Sequence, residues 1–260
     1  MAVAWANAPA EPTAGPEVRR IRVADLGTAL RRGWADFLDT PTQLFFLCII
    51  YPLIGLLAGT LAAGDDAMHL LYPMAMGFAL VGPVAALGLY EISRRREKGL
   101  PTSWRNAFDV IHAPAIWPIV VLGMVLAAIF LLWLWCADLI HAATIGSLPA
   151  SVDPWTALTN TREGRELIIW GNAVGFLFAL AVLLLTALSF PMLLDRDVGI
   201  RRAIGTSVRA FLVNPLPMTV WGLIVAVLLL LGSLPLFVGL AVVLPVLGHA
   251  TWHLYRLVVA

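Results

Sequence analysis

Residues 210–255 of this 260-residue chain read AFLVNPLPMTVWGLIVAVLLLLGSLPLFVGLAVVLPVLGHATWHLY and contain no Asp, Glu, Lys or Arg. Because one helix needs about 20 apolar residues to cross the hydrocarbon core of a bilayer, this stretch is long enough for two crossings. Gly232, Ser233, Leu234 and Pro235 form a turn-like segment near its middle, and glycine and proline are the strongest local turn signals. The stretch therefore predicts two membrane-spanning helices joined by a tight hairpin.

Four earlier charge-free runs have the length of one span each and cover residues 40–64, 67–90, 110–137 and 167–194. The whole chain is 60% hydrophobic and 13% charged, which is about half the charged share of a typical soluble domain. Together these runs predict an all-α membrane protein with six transmembrane helices. The Ala- and Pro-rich residues 1–17 predict a flexible tail, which leaves residues 18–260 as the membrane domain.

The basic residues of the chain are strongly segregated. Of its 17 Lys and Arg residues, all but Arg162 and Arg165 lie in segments 19–32, 94–105 and 196–209 or at Arg256. Basic loops remain in the cytoplasm, so this distribution predicts a bacterial inner-membrane protein with both termini cytoplasmic. The formal net charge of +1 gives no general attraction to nucleic acid, and the lipid bilayer is the predicted partner.

A similar short segment precedes each odd-numbered span and stops at a proline. Apolar residues recur in it at helical spacing with basic residues between them, which is typical of a helix at the head-group boundary. The apolar residues are Leu30, Trp34, Phe37 and Leu38 before Pro41; Trp104, Ala107, Phe108 and Ile111 before Pro114; and Ile204, Val208, Phe211 and Leu212 before Pro215. When the segments are aligned on the prolines, Phe37, Val110 and Phe211 coincide, and so do Leu38, Ile111 and Leu212. We therefore predict three parallel repeats, each an interfacial helix plus a transmembrane hairpin, at about residues 22–96, 101–196 and 199–256.

His249 and His253 are the residues of this chain that most resemble a cofactor pair. They lie four apart in the last span, so a helix places both side chains on one face. One interpretation is a haem or metal pair, although two imidazoles supply at most half of a tetrahedral metal site. The alternative is that both belong to the interfacial aromatic belt with Trp252 and Tyr255. We favour the belt, and predict no catalytic residue, no metal site and no cofactor.

Charged residues also lie where the returning helices end, at Glu91 with Arg94 and at Asp195 with Arg196 and Asp197. Ionisable residues inside a membrane are candidates for function, but at helix ends they are more simply explained as salt bridges between the repeats. No charged residue is predicted at the middle of the bilayer, which argues against a proton relay.

Two further polar features lie elsewhere in the predicted spans. Asp138 and His141, with Asp153 on the loop that follows, either form a small outer polar site or are solvated residues at a helix end. Asn172 is predicted to be buried in span four and to bond a neighbouring helix.

Four sequence motifs bring this chain close to a known family. They are GPVAALGLYEISR at residues 82–94, FPMLLDR at 190–196, GWADF at 33–37 and GHATWH at 248–253. With these motifs the chain resembles a family of bacterial integral membrane proteins catalogued as domain of unknown function 2189, over about residues 20–258. Some relatives carry a label as a cytochrome c oxidase subunit. The resemblance implies a membrane protein without an assigned activity, and this chain lacks the histidines that a haem–copper catalytic subunit needs.

These observations predict a protein that is not an enzyme. The favoured function is a non-catalytic accessory, scaffold or interaction subunit of a membrane complex, such as a respiratory one, because neither a mid-membrane charge nor a catalytic constellation is predicted. The alternative is a transporter or channel for a small apolar or amphipathic solute, with a path between the three repeats. Haem binding at His249 and His253 is a third hypothesis.

Overall fold

The structure is a computed structural model that describes residues 16–40, 69–70, 72–74, 82–149, 151–235 and 237–260. The predictions for span one, for most of span two and for nearly all of the N-terminal tail lie outside these residues.

Most of the described chain is helical. The helices are α1 (Val23–Asp39), α2 (Leu87–Glu97), a 3-10 helix (Trp104–His112), α3 (Ile116–Ala143), α4 (Pro154–Asn160), α5 (Arg162–Thr186), α6 (Ser189–Asp195), α7 (Ile200–Val213), α8 (Pro215–Ser233) and α9 (Leu240–Val258). A three-residue 3-10 turn, Ile145–Ser147, follows α3. Helices α5 and α6 are consecutive, with a short break at Ala187 and Leu188.

Three helical segments in the described part of the chain are long and apolar enough to cross a membrane. They are Ile116–Ala143, Arg162–Asp195 and Pro215–Ser233, which correspond to predicted spans three, four and five. Helix α9 has 19 residues but is less apolar, because its second half carries His249, His253 and Arg256. The prediction of an all-α membrane protein is confirmed, while the count of six spans stays a prediction.

The predicted proline boundaries agree with the described helices. Helix α1 ends at Asp39, two residues before Pro41, and Pro215 is the first residue of α8, two residues after the end of α7 at Val213. Proline fixes its own φ and lacks an N–H, so it fits the first turn of a helix, where no hydrogen bond is lost. The second segment differs from the prediction because it is a 3-10 helix ending at His112.

A tight hairpin joins α8 to α9, as the sequence predicts. A Cβ atom on Gly239 would lie 2.8 Å from the Cα of Gly232, so a side chain at this crossing would collide with backbone. Phe237 in the turn has a φ of 64°, a left-handed conformation that non-glycine residues adopt rarely. The reversal therefore depends on two glycines that let the helices approach closely.

The predicted interfacial segments pack on the ends of the returning helices. Helix α1 lies along α9, where a Cβ on Gly33 would be 2.5 Å from the backbone nitrogen of Ala250. The 3-10 helix packs on α2, with Ala107 against Gly88. Helix α7 packs on α5 and α6, and the Ser207 hydroxyl accepts a hydrogen bond from the backbone N–H of Leu188 at 3.3 Å.

These contacts gather α1, α2, the 3-10 helix, α6, α7 and the second half of α9 at one end of the molecule, which we name the basic end. The two chain termini pair there. Val18 and Val259 form an antiparallel bridge, and the backbone N–H of Ala260 donates to the carbonyl of Glu17 at 3.0 Å. The described N-terminal segment and the C-terminus therefore lie at the same end of the protein.

Candidate functional site

A buried chain of polar side chains connects three helices at the basic end. Asp36 comes from α1, Ser93 from α2, and His249 and His253 from α9. The spacing of four residues puts both histidines on one helical face, which is the face that α1 and α2 cover. Ser93 and His249 are fully buried, and Asp36 is 4% exposed.

Hydrogen bonds link these four side chains in a fixed order. The Ser93 hydroxyl donates to Oδ2 of Asp36 at 2.6 Å. Nε2 of His253 lies 2.8 Å from the same oxygen, and Nδ1 of His249 lies 2.8 Å from the Ser93 hydroxyl. The order is therefore His253, Asp36, Ser93, His249.

The positions of the protons follow from the donors available. A serine hydroxyl carries one proton, and Ser93 gives it to the Asp36 carboxylate. Nδ1 of His249 is then the donor to the Ser93 oxygen, so in the neutral ring Nε2 carries the lone pair. This Nε2 is buried and has no hydrogen-bond partner among the described residues. A polar atom left without a partner inside a protein costs free energy.

Positive charge compensates the buried carboxylate. Nε of Arg96 lies 3.2 Å from Oδ1 of Asp36, and the same guanidinium also pairs with Asp39. Burial alone raises the pKa of Asp36, but the hydrogen bonds from His253 and Ser93 and the electrostatic influence of the two histidines outweigh it, so this pKa lies below its usual value. The carboxylate therefore holds α1 against α2 and α9 in its ionised form.

The Nε2 atoms of both histidines are enclosed in the described structure. Nε2 of His253 is occupied by Asp36, and His249 has no solvent exposure. The helices are in close contact beside His249, because a Cβ on Gly248 would overlap Leu89 of α2. This full burial also differs from the interfacial-belt interpretation, since Trp252 and Tyr255 are buried as well. Within the described ranges, no three His, Cys, Asp or Glu side chains are grouped to hold a metal ion.

A second set of polar contacts joins α2, α6 and α9. Nε of Arg256 bonds Glu97 at 2.9 Å, and its Nη1 lies 3.4 Å from Asp195. The Tyr255 hydroxyl donates to Asp195 at 2.8 Å, and the Trp252 indole donates to Glu97 at 3.1 Å. The prediction that Asp195 forms a salt bridge between helices is therefore confirmed, whereas Asp197 is exposed.

Glu91 instead pairs within its own helix. It accepts two hydrogen bonds from Arg94, at 2.7 and 2.9 Å. This pair lines a cavity of about 460 Å³ at the basic end, between α2, α6, the end of the 3-10 helix and the link that leads to α3. The other polar groups that line the cavity are Arg95, Asp109, His112, Asp195, Arg196 and Asp197. Acidic and basic groups are thus mixed in its wall.

The candidate outer polar site, one of the two alternatives for Asp138 and His141, has a different composition from the one that the sequence suggested. Asp138 bonds Nε2 of His69 at 2.7 Å, and the rings of His69 and His141 stack with centroids 4.2 Å apart and planes 19° apart. The lone pairs of nearly parallel rings do not converge on one point, so this pair does not form a shared metal site. Asp153 is not a member, because it caps α4 through the N–H of Thr156.

Asn172 differs from its prediction. It is exposed rather than buried, and its amide donates to the Ile168 carbonyl of its own helix at 2.7 Å. Its oxygen accepts a long hydrogen bond of 3.4 Å from Tyr72. The link to another segment is therefore present but lies at the surface.

The comparisons with known proteins bear on this architecture. Residues 71–195 match the model of a family described as "Predicted integral membrane protein (DUF2189)". This stretch, just under half of the chain, is similar to that family. The DUF2189 region contains α2 with Ser93 and Glu91, and ends at Asp195. The resemblance expected from the sequence is thus confirmed there, whereas Asp36, His249 and His253 lie outside the matched residues. Searches of curated proteins and of solved structures find no significant match.

Sequence reasoning identified the two histidines but missed Asp36 and Ser93. Both lie within motifs that carried the family resemblance, GWADF and GLYEISR. The sequence did contain one signal for Asp36, which lies on the apolar face of α1 between Gly33 and Phe37. A carboxylate buried on such a face needs a cationic or hydrogen-bond donor group beside it.

Proposed function

We propose that this chain is a non-catalytic accessory or scaffold subunit of a membrane complex, held in a bacterial inner membrane by six helices with both termini in the cytoplasm. The observation that carries this proposal is that the buried polar groups bond one another inside the protein. The buried carboxylates Asp36 and Glu91 are paired inside the protein, whereas the exposed faces of the candidate spans are apolar.

The apolar faces follow regular stripes on the candidate spans. On α8, Leu216, Leu223 and Leu230 recur every seven residues and are each 62–66% exposed. On α3, Trp117, Met124 and Leu131 recur at the same interval and are 64–75% exposed. Residues seven apart lie on one side of a helix, so each stripe offers a straight contact line for lipid or for the helix of another subunit.

Purification from native membranes in mild detergent tests this proposal. We expect a stoichiometric partner subunit to accompany the chain, and photo-crosslinking from position 223 on the α8 stripe to capture it. Position 122 on α3 is the matched control, because Leu122 is fully buried and a crosslinker there reaches only this chain. A solitary monomer or homo-oligomer would contradict the proposal.

The cavity at the basic end favours a second candidate, a transporter or channel for a small amphipathic solute. Its wall combines charged side chains with apolar ones such as Leu193 and Leu194, which suits a solute with a polar and an apolar part. Ala115 lines the cavity and is only 2% exposed. On this hypothesis, a cysteine at position 115 reacts with a small water-soluble thiol reagent and is protected by the solute. A cysteine that never reacts would argue against it.

A further inference from the structure

The basic end carries many cations that form no ion pair within the described residues. Among the described residues, nine Lys and Arg side chains on this end are exposed and form no ion pair: Arg19, Arg20, Arg31, Arg32, Lys98, Arg105, Arg201, Arg202 and Arg209. The acidic residues of the same end are mostly engaged, since Asp36, Asp39, Glu91, Glu97, Asp109 and Asp195 all form ion pairs. The outer surface of this end is therefore strongly positive.

Most of these cations lie on the same three segments as a set of exposed apolar side chains. Leu38 at the end of α1, Ile111 at the end of the 3-10 helix and Leu212 at the end of α7 are 59%, 65% and 71% exposed. Each one immediately follows a more buried residue, respectively Phe37, Val110 and Phe211. Each also lies three residues before a proline. The same position is thus apolar and outward-facing in all three segments.

The distance of these side chains from the candidate spans indicates how deep they lie in the bilayer. Ile111 lies five residues before the start of α3, and Leu212 lies three residues before the start of α8. A side chain within a few residues of the start of a span is close to the boundary between head groups and hydrocarbon. Arginines on the same short helices, such as Arg105 on the 3-10 helix and Arg209 on α7, are therefore at head-group level.

We propose that the surface formed by α1, the 3-10 helix and α7 binds the head groups of anionic phospholipids. The apolar side chains would enter the edge of the hydrocarbon, and the free guanidinium groups would contact the lipid phosphates. This pairing of chemistries favours lipid over an acidic protein, because an acidic partner would match the arginines but leave the three apolar side chains without a counterpart. The inference goes beyond the proposed function and holds with or without a partner subunit.

Native mass spectrometry of the full chain provides the test. The protein is exchanged into micelles that contain equal amounts of phosphatidylglycerol and phosphatidylcholine, and the lipids that remain bound are counted. We expect phosphatidylglycerol to predominate. Each arginine near an anionic surface changes affinity by about five-fold, so the double variant R201Q/R202Q on α7 should lose most of this preference.

The matched control removes two charges from the opposite end. Arg162 and Arg165 are also exposed, but Arg162 is already paired with Glu166 at 2.8 Å. R162Q/R165Q is therefore expected to leave the preference nearly unchanged. Thermal unfolding of both variants verifies that they fold, which is expected because all four side chains are exposed.

Three results would overturn the assignment. The first is retention of the two lipids in the ratio of the mixture. The second is an equal loss of preference in R201Q/R202Q and R162Q/R165Q, which would indicate a non-specific effect of net charge. The third is a soluble acidic protein that co-purifies in stoichiometric amount and blocks phosphatidylglycerol binding, which would assign the surface to that protein.

Discussion

At the scale of single residues, the buried carboxylate of Asp36 links three helices of the described structure. Ser93, His253 and Arg96 all bond it, and they come from two other helices. Removing one partner from a buried charged network leaves the others without compensation, which costs more than the network contributes as a whole. Removal of the Asp36 carboxylate therefore lowers the free energy of unfolding mainly because its partners lose the charge that they face.

We expect Asp36→Asn to destabilise the protein by about 3 kcal/mol, because His253 and Arg96 would lose the charge that faces them. Asp39→Asn is the control on the same helix. Its carboxylate also pairs with Arg96 but is 60% exposed, and exposed ion pairs contribute about 0–1 kcal/mol. Thermal unfolding in detergent measures both. Equal effects of the two substitutions would contradict this account of the cluster.

Stability should also depend on pH through the same carboxylate. The pKa of Asp36 is lower in the folded protein than its usual value, so the folded state favours the ionised form. Its contribution is complete above about pH 4, the ordinary pKa of an aspartate, and is lost as pH falls through the folded pKa. Thermal unfolding of the wild type should show a loss below about pH 4 that is absent from Asp36→Asn. Parallel curves would exclude this role for Asp36.

The two histidines give a spectroscopic prediction. Because Nε2 of His253 bonds Asp36 and His249 is fully buried, we expect protein purified after haem-replete expression to show no Soret band. A Soret band that His249→Phe removes, while His112→Phe leaves it intact, would establish haem binding instead. His112 is a suitable control because it is exposed and lies on the 3-10 helix.

At the scale of elements, the contact between α1 and α9 is set by one small residue. Gly33 is buried against Ala250, and the atoms nearest to an added Cβ include the backbone nitrogen and Cα of Ala250. Backbone cannot move aside as a flexible side chain can. The two helices can therefore keep their present separation only with glycine at position 33.

Gly33→Ala should consequently destabilise the protein, by about 2 kcal/mol or more, since overpacking a tight contact typically costs 1–3 kcal/mol. Gly27→Ala on the same helix is the matched control, because no atom lies within 4 Å of the added Cβ. There the better helix propensity of alanine should stabilise by up to about 1 kcal/mol. Opposite signs in thermal unfolding are expected, and a stabilising Gly33→Ala would contradict the close packing.

At the scale of the whole molecule, the packing of the basic end follows a cyclic order. Helix α7 packs on α6, the 3-10 helix packs on α2, and α1 packs on α9. Each predicted interfacial segment thus lies on a returning helix that precedes it in the chain, except that the first segment lies on the last helix. In addition, α2, α6 and α9 all contact one another. This order supports the proposed threefold repeat, with the chain termini paired where the ring closes.

The proposed orientation can be tested with single cysteines in a background that lacks Cys48 and Cys136. A cysteine at Ala260 at the basic end should be protected from a membrane-impermeant thiol reagent in intact cells. A cysteine at Ser151, in the loop between α3 and α4, should react. Both should react once the membrane is opened, which controls for accessibility. The reverse pattern would show that the basic end faces outward.

The sequence by itself determined the class of the protein and many of its boundaries. Charge-free length requires helices, since lipid offers no partner for backbone polar groups, and proline and glycine mark where the helices begin and turn. The equivalence of Leu38, Ile111 and Leu212 likewise follows from their spacing to the next proline. These properties depend on neighbours within a few residues, which a sequence displays directly.

The tertiary structure decided which polar groups meet. Asp36 and His253 are 217 residues apart, and Ser93 and His249 are 156 apart, so no local pattern could pair them. The sequence placed the histidines in an interfacial belt because α9 alone resembles a surface helix at its C-terminal end. Packing of α1 and α2 over that face buries it instead, and burial is what converts a few ordinary side chains into a hydrogen-bonded chain. Local chemistry determines the helices, but only long-range packing determines their buried contacts.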